Sequence, residues 1–296
     1  MNPRDEASGT TIDTLCTGLG LVESPRWHEG RLWFSDWIAG QIIAIADDGT
    51  SEVILQHPSL PLCFDFLPDG RPVLVSNQRI ALLTIEDDGT LATYADLSAL
   101  AQFGCNDIVV DGRGNAYVNS PNFEFSSGPP DGAVQPGFVV LVTPDGAARV
   151  VAEDIAFPNG MAVTADNQTL VVADSYRHQL VGFDIALDGT LSGRRVWADL
   201  GDAAPDGICL DAQGMAWYAD VPHQRCVRVA EGGDVHATVE LDRGGFACML
   251  GGSEGTSLYI VAAQWPGASG LGQDVTWDGR VLRTEVHVAG AGWPSR

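Results

Sequence analysis

The 296 residues contain no lysine; all 16 positive side chains are arginine. A Schiff-base lysine, a P-loop lysine and a lysine general base are thereby excluded. Positive charge of any kind is scarce, because 39 acidic residues leave a formal net charge of −23 at pH 7. Such a surface repels phosphate backbones and anionic headgroups, so neither nucleic acid nor membrane is expected as a partner. None of the six cysteines forms a CxxC pair, and several sit in apolar runs, where a thiol behaves as a small hydrophobe. Reduced thiols and a cytoplasmic protein are the expectation. No run approaches the length of a membrane span, and MNPRDEASGTTIDTL at the start has no signal-peptide core. A sustained apolar period of 3.6 is missing too, so very little helix is expected.

What is present is repetition. A strand–turn–strand phrase recurs six times, opening at Glu23, Cys63, Asn106, Asn159, Asp206 and Ala247, in steps of 40, 43, 53, 47 and 41 residues. Each is followed by a second strand pair around an acidic-Gly or Gly turn, as in QIIAIADDGTSEVI and FVVLVTPDGAARVV, a strong hairpin signal. Two hairpins make a four-stranded antiparallel sheet, and a period in the forties is that of propeller blades. The expected fold is all-β: a six-bladed β-propeller occupying residues 1–296 as one domain. The last repeat is short by one strand. RVLRTEVHV after Gly279 supplies its third, and the N-terminal TTIDTLCTG is expected to close the ring as its outer strand. The longest repeat carries Pro121–Gly137, expected either to overhang the axial face or to form a surface excursion.

Four of the openings bear oxygen: Glu23, Asn106, Asn159 and Asp206. Asn-Gly and Asp-Gly are also turn dipeptides, so a purely local role is the alternative. Glu23, followed by Ser-Pro, fits that alternative poorly. All four stand 8 or 9 residues before the expected second strand, and equivalent positions of propeller blades share one height around the axis. Two carboxylates and two amides converging there repel unless a cation joins them. All-oxygen donors suit one divalent ion, Ca²⁺ first, with Mg²⁺, Mn²⁺ or Zn²⁺ as alternatives; the lack of His or Cys among the four argues against Zn²⁺.

The phrases ESPRW, ND, FPNGMA and PDGICLDAQGMAWYAD, in this order, resemble those of the SMP-30/gluconolactonase/luciferin-regenerating-enzyme-like (LRE-like) family. The resemblance implies a six-bladed propeller with a central divalent metal bound by Glu23, Asn159 and Asp206, with Asn106 beside it. It also implies Asp206 as the catalytic base. The chain departs from the sugar-lactonase pattern at Gly104, where animal members carry a sugar-holding arginine. Arg177 is a candidate replacement, since its fork can bind a carboxylate or hydroxyl. Asn122 is a further candidate substrate contact, as are the other turns after the second strands: Asp36-Trp37, Asn77-Gln78, His178, His223 and Gln264-Trp265. The expected function is a metal-dependent hydrolase opening a small lactone, sugar or related. The alternatives are a non-catalytic propeller fastened by its ion, and a lyase or isomerase on the same site.

Overall fold

The computed structural model describes residues 11–86, 88–123, 135–267 and 276–293. The expected repeat becomes six four-stranded antiparallel sheets. Their innermost strands are Val22–His28, Phe64–Phe66, Ile108–Val110, Pro158–Val163, Pro205–Leu210 and Gly244–Gly251. Each packs against the innermost strand of the next blade, and the last meets the first, so the ring is closed. In the sixth blade Asp13–Leu19 pairs with Gly279–Glu285, Asp13 opposite Arg283 and Leu19 opposite Gly279. The N-terminal segment therefore completes that sheet as expected. The helical structure among the described residues is one 3₁₀ turn, Ser175–Arg177.

The second strand of each blade reads as an apolar run because it is buried on both faces: Ala116–Ser120 and Ala216–Asp220 are buried throughout. Outer strands such as Ser51–Gln56 are largely exposed. The apolar side chains fill the spaces between neighbouring blades. Trp33 of the first blade meets Phe66 of the second edge-on, with centroids 5.1 Å apart, and His28 stacks on Phe66 at 3.7 Å. All six cysteines are free, five of them buried.

Close approach of the inner strands explains two dipeptides that invite a turn reading. Asn159-Gly160 and Asp206-Gly207 lie inside strands, and neither glycine has the positive φ of a turn residue. A Cβ on Gly160 would lie 2.5 Å from the Asp206 carbonyl oxygen and 2.6 Å from the Gly207 Cα. One on Gly207 would lie 2.2 Å from the Ala247 Cβ. Glycine is needed there because the next blade's backbone occupies the space. Gly160→Ala should accordingly cost about 1–3 kcal/mol by overpacking, read as a lower denaturation midpoint. An unchanged midpoint would mean that the inner strands are not in contact at this height.

Candidate active site

The register of each blade sets where its candidate side chain points. Val22, Pro158 and Pro205 are cross-strand partners of Asp36, Asp174 and Asp220, the last residues of their second strands. Glu23, Asn159 and Asp206 are the next residues in each case. The pairing is interrupted directly after these openings, between Glu23 and Arg26, Pro158 and Met161, and Pro205 and Ile208. A bulge of this kind re-aims a side chain.

The buried aspartates that end the second strands fix the chain just before each inner strand. Asp36 accepts the Gly20 N–H at 2.8 Å. Asp174 accepts the N–H groups of Ala156 at 3.1 Å and Phe157 at 3.0 Å. Asp220 accepts the Ala204 N–H at 3.1 Å. In the third blade Ser120 donates to the Gly104 carbonyl at 2.7 Å, and the Asn106 N–H donates to the Asn119 carbonyl at 2.8 Å. These positioning residues escape a sequence reading that follows only the phrase openings. The signal for them is the recurrent polar end of each phrase (FSD, VNS, VAD, YAD).

Glu23, Asn106, Asn159 and Asp206 all line one cavity of about 350 Å³. Glu23 and Asn106 are buried, whereas Asn159 and Asp206 are half-buried. The Asn106 Nδ2 donates to the Asn159 Oδ1 at 3.2 Å and to the Pro158 carbonyl at 3.2 Å, and the Asn159 Nδ2 donates to the Ser175 Oγ at 3.3 Å. Burial pushes the Glu23 carboxyl up to about 8, against the opposing hydrogen bond from the Ser24 N–H. Burial also raises Asp206 well above the usual carboxylate range, and repulsion from Glu23 and Asp107 adds to it. Arg26 offsets part of this negative charge, lying 3.4 Å from Asp65 and 3.7 Å from Asp107.

This donor set fits a hard divalent cation: two carboxylates and two amide oxygens on one cavity, in a setting that penalises their charge. Among the described residues no three His, Cys, Asp or Glu side chains form a metal cluster by themselves. The amides of Asn106 and Asn159 are what would complete this one.

The other expected contacts divide. Trp37 and Trp265 line the cavity, and so does Tyr176, the neighbour of Arg177. Arg177 does not; it is bound to the Asp154 carboxylate at 2.6 Å and to its carbonyl. Asn122 is also off the lining, donating its side-chain N–H to the Pro136 carbonyl at 3.2 Å. His178 Nδ1 is bonded to the Ala203 carbonyl at 2.8 Å, and His223 Nδ1 to Asp220 at 2.9 Å. Of the long segment 121–137, residues 124–134 lie outside the described residues, but Phe123 reaches the cavity wall. Asn77, Gly104 and Cys105 line a second cavity of about 310 Å³ that shares Asn106. Burial pushes the Cys105 thiol up to about 12 and the Cys63 thiol well above its usual value, so both are inert. One G-x-S-x-G string, Gly251–Gly255, occurs in the chain, but it is a hairpin turn between Gly244–Gly251 and Ser257–Ala263 with Ser253 exposed. It lacks the strand–turn–helix context of a serine-hydrolase elbow.

Residues 21–264 match the family description "SMP-30/Gluconolactonase/LRE-like region". The chain belongs to this family. Regucalcin of Xenopus laevis is 29% identical, covering 82% of this chain and 83% of that protein. The 6-deoxy-6-sulfogluconolactonase of Pseudomonas putida is 24% identical, covering 93% and 94%. Diisopropyl-fluorophosphatase of Loligo vulgaris is 28% identical, but the match spans 58% of this chain and 54% of that protein. Among solved structures, a gluconolactonase from Xanthomonas campestris shares the fold with a TM-score of 0.77 at 22% identity, covering 95% of this chain and 91% of that one.

The positioning role of the strand-end aspartates has a measurable consequence. Asp174→Ala strands two backbone N–H groups, of Ala156 and Phe157, and should cost about 1–3 kcal/mol per unsatisfied group. Asp174→Asn, which keeps one acceptor oxygen, should lose clearly less in the same denaturation experiment.

Proposed function

We propose that this family member is a metal-dependent hydrolase that opens a small lactone ring. The observation that supports it most is the convergence of Glu23, Asn106, Asn159 and Asp206, from four separate blades, on a single cavity. The names of relatives, a sulfogluconolactonase and a solved gluconolactonase among them, point to the same reaction class.

Glu23, Asn159 and Asp206 would hold the ion, Ca²⁺ being the best match to their oxygens. When bound, a divalent cation supplies Lewis-acid polarisation of the carbonyl and a lower pKa for water. Asp206 accepts a proton from the attacking water as its oxygen adds to the lactone carbonyl carbon. The ring C–O bond then breaks, and that proton passes to the departing alkoxide oxygen, giving a hydroxy acid. Asn106 is held by the backbone at Asn119, and its two side-chain N–H groups are taken by the Pro158 carbonyl and the Asn159 Oδ1, which leaves its own Oδ1 to accept from the attacking water and aim it at the carbonyl carbon. The ion pair of Arg26 with Asp65 and Asp107 keeps the inner strands fixed around these groups.

Two measurements test this. Chelator-treated protein titrated with Ca²⁺ should take up one ion per chain and melt at a higher temperature, and Glu23→Gln should remove both effects. Metal-supplied protein should open lactones in a pH-stat assay, with Asp206→Ala lowering kcat by about 10²–10⁴-fold. Absence of turnover across lactones and esters, with the ion demonstrably bound, would overturn the hydrolase and leave an ion-fastened binding protein or a lyase or isomerase on the same site.

A further inference from the structure

We infer that the substrate is a neutral lactone with an aryl or bulky alkyl body rather than a polyhydroxylated sugar lactone. This rests on the hydrolase reading and names the class of molecule that the site accepts.

The first observation is the wall of the cavity. Among the described residues six aromatic side chains line it: Trp37, Phe123, Phe157, Tyr176, Phe246 and Trp265. They form two groups. Phe123 and Phe157 are stacked at 5.7 Å, and Phe157 and Tyr176 at 4.7 Å, making a three-ring stack from the third and fourth blades. Phe246 and Trp265 meet edge-to-face at 5.4 Å in the sixth blade, and Trp37, its indole N–H bonded to the Leu62 carbonyl, stands beside them in the first. In a six-blade ring the first and sixth blades lie across the axis from the third and fourth. A flat apolar group entering the cavity is therefore met by aromatic surface from opposite sides, and each contact adds area burial and favourable ring geometry.

The second observation is what the lining lacks. Among the described residues, no Arg, Lys or His side chain lines this cavity. Arg177 is tied to Asp154, Arg225 to Asp220, and Arg243 to Asp242 and Asp278. Apart from the proposed cation, no described side chain there complements a carboxylate, sulfonate or phosphate on the substrate body, and the net charge of −23 repels one. Besides the four oxygen-bearing candidates, the polar side-chain groups of the described lining residues are the Ser175 hydroxyl, committed to the Pro205 carbonyl at 2.6 Å, the Trp37 indole N–H, committed to the Leu62 carbonyl, the Tyr176 hydroxyl and the Trp265 indole N–H. A polyol moved into this cavity would surrender water for few partners.

The third observation is Gly104. Its φ is +86°, and a Cβ would lie 2.7 Å from the Asn77 Oδ1. Asn77 in turn is locked to the Cys105 N–H at 2.8 Å and to the Cys105 carbonyl at 2.9 Å. The backbone at this position is built for glycine, and a substrate-holding side chain has no place there.

The test compares 3,4-dihydrocoumarin with glucono-δ-lactone on Ca²⁺-supplied protein, each rate divided by its uncatalysed hydrolysis. Alongside, binding of the non-hydrolysable lactam 3,4-dihydro-2-quinolinone is followed by calorimetry. The expected results are a kcat/KM ratio favouring dihydrocoumarin by at least about 100-fold, and lactam binding. Tyr176→Ala and Trp265→Ala, both at partly exposed rings, should weaken the lactam and raise KM for dihydrocoumarin about tenfold each. Equal or better turnover of glucono-δ-lactone would overturn the substrate class and leave the hydrolase intact. Lactam binding that depends on the two rings, with no lactone opened, would support the apolar class and overturn the hydrolase. Lactam that does not bind, or binds equally well to both variants, would overturn the substrate class.

Discussion

The crowding of six inner strands around one axis is the constraint on which the rest depends. Their backbones approach so closely that Gly160 and Gly207 have no room for a methyl group, the space being taken by Asp206–Gly207 and by Ala247. The same crowding brings Glu23, Asp107 and Asp206 within electrostatic reach of one another. Burial and mutual repulsion raise their protonation equilibria, and Arg26 answers only part of the charge. A divalent cation held among these oxygens, as proposed, would answer the rest. On that proposal stability and chemistry are coupled at the axis: what makes the inner strands costly to assemble is what the ion would use.

The arrangement that supports this centre lies one layer out. Three second strands end in a buried aspartate, and each uses its carboxylate to hold the chain leading into the inner strand. The residue that follows this fixed point is the candidate ligand. Because the hydrogen bonds are to backbone, the geometry does not depend on which side chains flank the site. That separation lets the cavity wall vary while the oxygen set keeps its place, and here the wall is aromatic.

Several expectations about the rim depended on where side chains turn, which sequence does not specify. Arg177 sits next to Tyr176 in the chain, yet Tyr176 faces the cavity and Arg177 faces Asp154. The 3₁₀ turn Ser175–Arg177 separates them, and the nearby carboxylates of Asp154 and Asp174 draw the guanidinium outward. His178 and His223 are likewise engaged by the scaffold. As sequence, Phe157 and Phe246 read as core, the one directly before an inner strand and the other lying within one; only their meeting with Tyr176 and Trp265 marks them as walls.

The sequence by itself determined the repeat, the number of blades, the closing strand and the four oxygen-bearing openings. These are legible because hairpin turns and strand burial act locally, and a fixed period converts local signals into a ring. Tertiary structure alone decided the reason for the glycines, the role of the strand-end aspartates, the fate of each arginine and the apolar character of the cavity. Those depend on contacts between residues distant in the chain, 17 apart for Asp174 and Phe157 and about 40 or more for neighbouring blades, as between Gly160 and Gly207. Which neighbour a side chain meets there is set by register and twist rather than by its sequence neighbours.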